Sequence, residues 1–277
     1  MSFTRGSSGG PKKSGHQEQA FKRTVVAPVV FEAEASKPGC KFQDAFVCIY
    51  GRPGIGKSTF ASCLPGAYFL PTEVGYKFLS TRKTPIPSWD AFTGFIKWAE
   101  THKKETEDIQ MWVIDTATLL AKFCMYGTCA DLEITHPADM DYGKGYEAYY
   151  DNLSGWISRL AVLGKGICFV CHENIQEITV NGNKIQHWGP DLPKKPYRII
   201  MDMCDIAIHM SYVEDGDEEN TRGKKRCLYC LPSESRDAKD KTKSLPATIP
   251  FLTERQAMLK ILASYRSGTE EAKREAE

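Results

Sequence analysis

Apolar positions fall along the chain in blocks of two kinds. AFVCIY (45–50), AYFL (67–70), MWVI (111–114), GICFVC (166–171), DIAIHM (205–210) and CLYCL (227–231) are short unbroken apolar runs of strand length. Between them apolar residues recur at helical spacing. Trp89, Phe92, Phe95, Ile96 and Ala99 mark a helix over 88–103. Tyr149, Leu153, Trp156, Ile157 and Leu160 share one face of a helix over 145–163. Further helices are expected from about Lys57, over 116–127, near 195–203 and over 253–265. The stretch 177–188 reads as a hairpin turning at Asn181-Gly182, a pair suited to positive backbone φ.

Unbroken apolar strands interleaved with helices imply a parallel sheet covered on both faces. The later hairpin and strands add antiparallel partners at an edge. The expectation is therefore one α/β domain over 37–266, mostly parallel, flanked by helices and with antiparallel edge strands. Residues 1–36 open with a Gly/Ser/Lys-rich stretch and are expected as a disordered basic arm, and 267–277 as a flexible tail.

Composition narrows the class. The chain has 277 residues, enough for one large domain with tails, and 42% of them are hydrophobic. Lys and Arg total 36 against 35 Asp and Glu, so no global field selects nucleic acid or membrane. Any nucleic-acid site must be a local patch. No apolar run nears the ~20 residues that span a bilayer, and the N-terminal stretch lacks the apolar core of a secretory signal. The expected location is the cytoplasm. Of the 10 cysteines, Cys168 with Cys171 and Cys227 with Cys230 have the spacing of metal-binding pairs. Both pairs sit in strand-like runs, where residues three apart point to opposite faces, so they are read as core thiols.

Candidate chemistry centres on Gly51-Arg52-Pro53-Gly54-Ile55-Gly56-Lys57-Ser58, followed by Thr59. It matches G-x-x-x-x-G-K-[ST] in full and lies between a strand and a helix. Glycines let backbone N–H groups turn inward around phosphate oxygens, and the helix N-terminus favours the anion. Lys57 is placed to neutralise β- and γ-phosphate charge, and Ser58 to ligate Mg²⁺. The implied cofactors are ATP and Mg²⁺; the motif does not separate ATP from GTP. Asp115 closes the strand MWVI and is the second expected metal ligand. Glu73 closes AYFL in Pro71-Thr72-Glu73-Val74-Gly75, where a carboxylate can polarise an attacking water. His172 and Glu173 follow the next strand, where a polar residue can sense the γ-phosphate.

This order of strand, phosphate loop, T-E-x-G, strand-end Asp and strand-end polar residues resembles the RecA-like recombinase core over about 42–250. It looks most like the small phage RecA-type ATPases, single-strand annealing proteins among them. The resemblance implies a catalytic role for Glu73, a metal-holding role for Asp115-Thr116, and a nucleotide switch at His172-Glu173-Asn174, although the family's Gln is missing there. It likens Lys239-Asp240-Lys241 to the lysines that reach a neighbouring subunit's ATP; on the residues alone they read equally as a solvated basic loop. It also implies DNA contacts from about 129–148 and 174–198, which hold Lys144, Lys184, Trp188, Lys194, Lys195 and Arg198, with Trp188 the expected stacking ring. The partners so implied are single-stranded DNA, a single-stranded-DNA-binding protein and further copies of the chain in a ring or filament. The leading expectation is an ATPase that anneals or exchanges DNA strands. Rival expectations are a helicase, a helicase loader or other motor ATPase, and a nucleotide-regulated binding protein with little turnover.

Overall fold

A computed structural model describes residues 41–213 and 225–275. The expected basic arm at 1–36 and residues 214–224 lie outside the described residues. The strands are β1 (Phe46–Gly51), β2 (Ala67–Pro71), β3 (Met111–Asp115), β4 (Gly166–Val180), β5 (Asn183–Pro190), β6 (Ile206–Tyr212), β7 (Arg226–Tyr229), β8 (Lys239–Asp240) and β9 (Thr248–Phe251). The α-helices are α1 (Lys57–Ser62), α2 (Trp89–Thr101), α3 (Ala117–Asp131), α4 (Lys144–Val162), α5 (Lys194–Met203) and α6 (Glu254–Glu275).

The sheet runs β2-β3-β4-β1-β6-β7-β9. The first five strands are parallel, and β7 and β9 extend the sheet antiparallel. β8 pairs the start of β6. This is the expected mostly parallel sheet with antiparallel edge strands, the arrangement of a P-loop nucleotide-binding core.

The apolar strands read as unbroken because both faces are covered. Cys48, Tyr50, Trp112, Ile114, Phe169 and Cys171 face the layer of α2, α3, α4 and α5. Val47, Ile49, Val113, Cys168 and Val170 face α1 and α6. Cys168 and Cys171 thus enter opposite layers, as strand alternation requires. α2 starts at Ser88, whose hydroxyl accepts from Ala91 N, and α3 starts at Thr116, whose hydroxyl accepts from Leu119 N.

Three boundaries differ from expectation. β4 does not stop at Cys171 but continues to Val180, so one strand serves both the parallel sheet and the hairpin. It pairs β1 over Ile167–His172 and then β5 over Glu173–Val180. Asn181 and Gly182 turn the hairpin at φ 51° and 83°. The segment 267–277, expected as a tail, is helical as far as Glu275. β8 and β9 were not foreseen, because two- and four-residue strands carry too little periodicity. Among the described residues no helix is long and apolar enough to cross a membrane.

Candidate nucleotide site

β1 delivers the chain into the loop at Gly51, between β4 and β6. A Cβ at Gly51 would lie 2.3 Å from the carbonyl oxygen of Met210, so only glycine lets the strand turn there. Gly54 and Gly56 take φ values of 76° and 107°. Ile55 is buried and anchors the loop from below, while Arg52, Pro53 and Gly54 are exposed above it. Ser58 and Thr59 occupy the first turn of α1.

Lys57 is largely buried and folds back into the curve of the loop. Its Nζ donates to the carbonyls of Gly51 at 2.8 Å and Arg52 at 3.0 Å. Burial pushes its pKa down, against the pull of Asp115, Glu173 and Glu73. Asp115 closes β3 and is only 3% exposed. Burial pushes its pKa up, opposed by hydrogen bonding from Ser58 and Tyr76. Its Oδ2 is buried with no hydrogen-bond partner. A carboxylate oxygen in that state, beside the Ser58 hydroxyl, fits an oxygen-seeking divalent cation. The glycine-lined loop and Lys57 fit a polyphosphate. The residues present therefore suit a magnesium nucleotide.

Glu73 follows β2, and its carboxylate reaches across β3. Thr72 N donates to Asp115 O at 2.9 Å, and Thr116 N donates to Thr72 Oγ1 at 2.8 Å. These bonds lock the two strand ends together around a cis Asp115–Thr116 peptide. Glu73 Oε1 accepts from Thr116 Oγ1 at 3.2 Å and faces His172 Nε2 at 3.1 Å. A carboxylate only accepts, so Nε2 is the donor of this bond. Glu73 remains 43% exposed along its side chain, open to a water.

Glu173 behaves differently. Its side chain is 8% exposed and its Oε2 meets His209 Nε2 at 3.0 Å. Arg52 Nε lies 3.7 Å from Oε1. His209 stacks on Tyr50 at 4.7 Å between centroids. Sequence reasoning missed His209, since a lone His inside DIAIHM carries no motif. It also missed Tyr76, whose ring packs against Phe69 and whose hydroxyl sits near Asp115.

The remaining expected site residues divide. Lys239 and Lys241 lie away from this chain's own phosphate loop, and their expected reach is toward the ATP of a neighbouring copy. β8 pairs the start of β6, at the opposite end of the parallel strands. Lys239 Nζ donates to Met201 O at 2.7 Å, and Lys241 Nζ pairs with Asp205 at 3.3 Å. Lys184 is exposed near the hairpin tip and pairs with Glu177 at 2.6 Å. Trp188 is not the surface ring expected of it. It is half-buried against the core, beside His209 and Arg236, and its carbonyl accepts from Tyr50 Oη. The β4–β5 register turns the ring inward. Lys194, Lys195 and Arg198, on the first turns of α5, line a cleft of about 640 Å³ opposite Tyr142, Tyr146 and Tyr150. Lys144 is exposed at the start of α4, beside Tyr142.

No curated protein matches the chain. Comparison with known families matches the AAA domain over residues 43–242, a span that takes in the phosphate loop, Glu73, Asp115, His172 and the cleft. The chain belongs to the AAA domain family and carries its P-loop ATPase domain.

Proposed function

We propose that this AAA-type domain is a RecA-like, phage-type ATPase that hydrolyses ATP with Mg²⁺, binds single-stranded DNA and promotes annealing or strand exchange. Bound magnesium nucleotide would supply the phosphoanhydride to be split and a cation to offset its charge. Backbone N–H groups of the loop and Lys57 hold the phosphates. Ser58 and Asp115 would hold the metal ion. Glu73, oriented by Thr116 and His172, takes a proton from the attacking water.

The DNA reading rests on one observation: the cleft joining Tyr142, Tyr146 and Tyr150 to Lys194, Lys195 and Arg198. Aromatic faces stack on bases whatever their identity, and cations track the phosphates. Glu147 and Asp151 also line the cleft. They repel phosphate, so the backbone contacts fall to Lys194, Lys195 and Arg198. The chain is further proposed to act as a homo-oligomer, ring or filament, alongside a single-stranded-DNA-binding protein. The deciding experiment measures ATP hydrolysis with and without single-stranded DNA, then annealing of complementary oligonucleotides. Stimulation and annealing support the proposal. Hydrolysis indifferent to DNA, with no annealing, refutes the DNA part and leaves a bare ATPase.

A further inference from the structure

The floor of the phosphate loop is built from the distant C-terminal part of the chain. Arg226 opens β7, and its guanidinium meets three acceptors there. Nη1 donates to the carbonyl of Ile55 at 3.1 Å and to the Glu254 carboxylate, and Nη2 donates to Leu252 O at 2.7 Å. The guanidinium also lies 4.8 Å over the Phe251 ring. Both charged side chains are mostly buried, at 21% and 17% exposure.

The loop rests directly on this pair. A Cβ at Gly56 would come within 2.8 Å of Arg226 Nη1 and 2.5 Å of Glu254 Oε1. Gly56 is the residue whose positive φ passes the loop into α1 and whose carbonyl accepts from Phe60 N. Glu254 begins α6, and Ala257, Met258 and Ile261 of that helix share a core layer with Phe60 and Ala61 of α1. The ion pair therefore sits where the C-terminal helix meets the turn that aims loop N–H groups inward.

We propose that Arg226, backed by Glu254, is a positioning residue of the phosphate loop: it fixes Ile55 and Gly56 in the shape that receives phosphate, and so ties nucleotide affinity to the seating of α6. Arg226 touches no reacting atom in this assignment; it acts through the Ile55 carbonyl. A planar fork suits three acceptors lying around one centre, whereas an ammonium is a point charge on a flexible stem. The proposal rests on the reading of this loop as a nucleotide site.

The test is MgATP binding and turnover by the full-length chain and by Arg226→Lys, Glu254→Ala and Lys57→Ala. Arg226→Lys and Glu254→Ala are expected to weaken MgATP binding roughly tenfold, in line with losing charged hydrogen bonds, and to raise KM to match. Turnover at saturating ATP stays within about twofold of wild type, because the groups at the reacting phosphate are untouched. Affinity is compared among samples with wild-type circular dichroism, and Glu254→Ala carries the test if Arg226→Lys does not fold. Wild-type affinity in the folded variants overturns the proposal while leaving the nucleotide site in place. A fall in kcat with KM unchanged overturns it too, since that is the mark of a group acting on the transition state. A wild-type chain that fails to bind MgATP, like Lys57→Ala, overturns the nucleotide reading and this inference with it.

Discussion

Glu73 Oε1 and His172 Nε2 lie 3.1 Å apart, joining the ends of two strands that do not pair with each other. β3 stands between them and contributes Thr116 to the same carboxylate. Glu73 is thereby held in place yet left exposed, as a group that polarises water must be. Glu173, one residue beyond His172, is buried and committed to His209.

Glu73→Gln should therefore keep nucleotide affinity near wild type and slow hydrolysis by about 10²–10⁴-fold, the range typical of a removed general base. Phosphate release under saturating MgATP measures it. Severe slowing by Glu173→Gln, with Glu73→Gln active, would move the base to Glu173.

Lys57→Ala should lose nucleotide binding outright. The carbonyls of Gly51 and Arg52 hold the ammonium, and among the described residues no second lysine sits inside the loop to replace it. Equilibrium titration with MgATP checks this, and near-wild-type affinity would sink the phosphate-loop assignment.

Asp115→Asn separates stability from function. The folded-state pKa of Asp115 is raised, first by burial, so the carboxyl favours folding fully below its unfolded pKa. That contribution is lost as pH rises through the folded pKa. Above its unfolded pKa the buried, half-partnered carboxyl is therefore a cost to folding. Asn should raise the melting temperature of the nucleotide-free chain by roughly 2–4 °C, the shift that about 1 kcal/mol makes in a domain of this size. The gain should vanish toward pH 3, and Mg²⁺-dependent nucleotide binding should fall. Thermal melts at pH 7 and pH 3 decide; an equal or lower melting temperature at pH 7 would mean the carboxylate is satisfied when ionised.

Tyr142→Ala should weaken single-strand binding by about 1–3 kcal/mol if its exposed ring stacks on a base. Lys194→Ala, Lys195→Ala and Arg198→Ala should each reduce the salt slope of binding by about one. Trp188→Ala should act differently, lowering stability with little direct effect on DNA, because the ring packs against the core. Fluorescence anisotropy with an oligonucleotide over a salt series reads all of these. Full affinity in Tyr142→Ala together with unchanged slopes would remove the cleft from the DNA surface.

The sequence alone determined the phosphate loop, because its chemistry is contiguous. Eight adjacent residues must make one turn, and glycine spacing with a following Lys-Ser states that turn locally. It also determined the layered α/β class, since unbroken apolar strands need cover on both faces, and it named Asp115 and Glu73 as strand-end carboxylates. Tertiary structure decided what pairwise distance decides. Which of Glu73 and Glu173 is open to water depended on His209 lying beneath one of them. Whether Trp188 faces solvent depended on strand register, where a one-residue step reverses a side chain. Lys239 and Lys241 went to the far end of β6 through a two-residue strand too short to leave a pattern. Arg226 and Glu254 reached Gly56 from about 170 and 200 positions away, and no local sequence rule carries a contact over that separation.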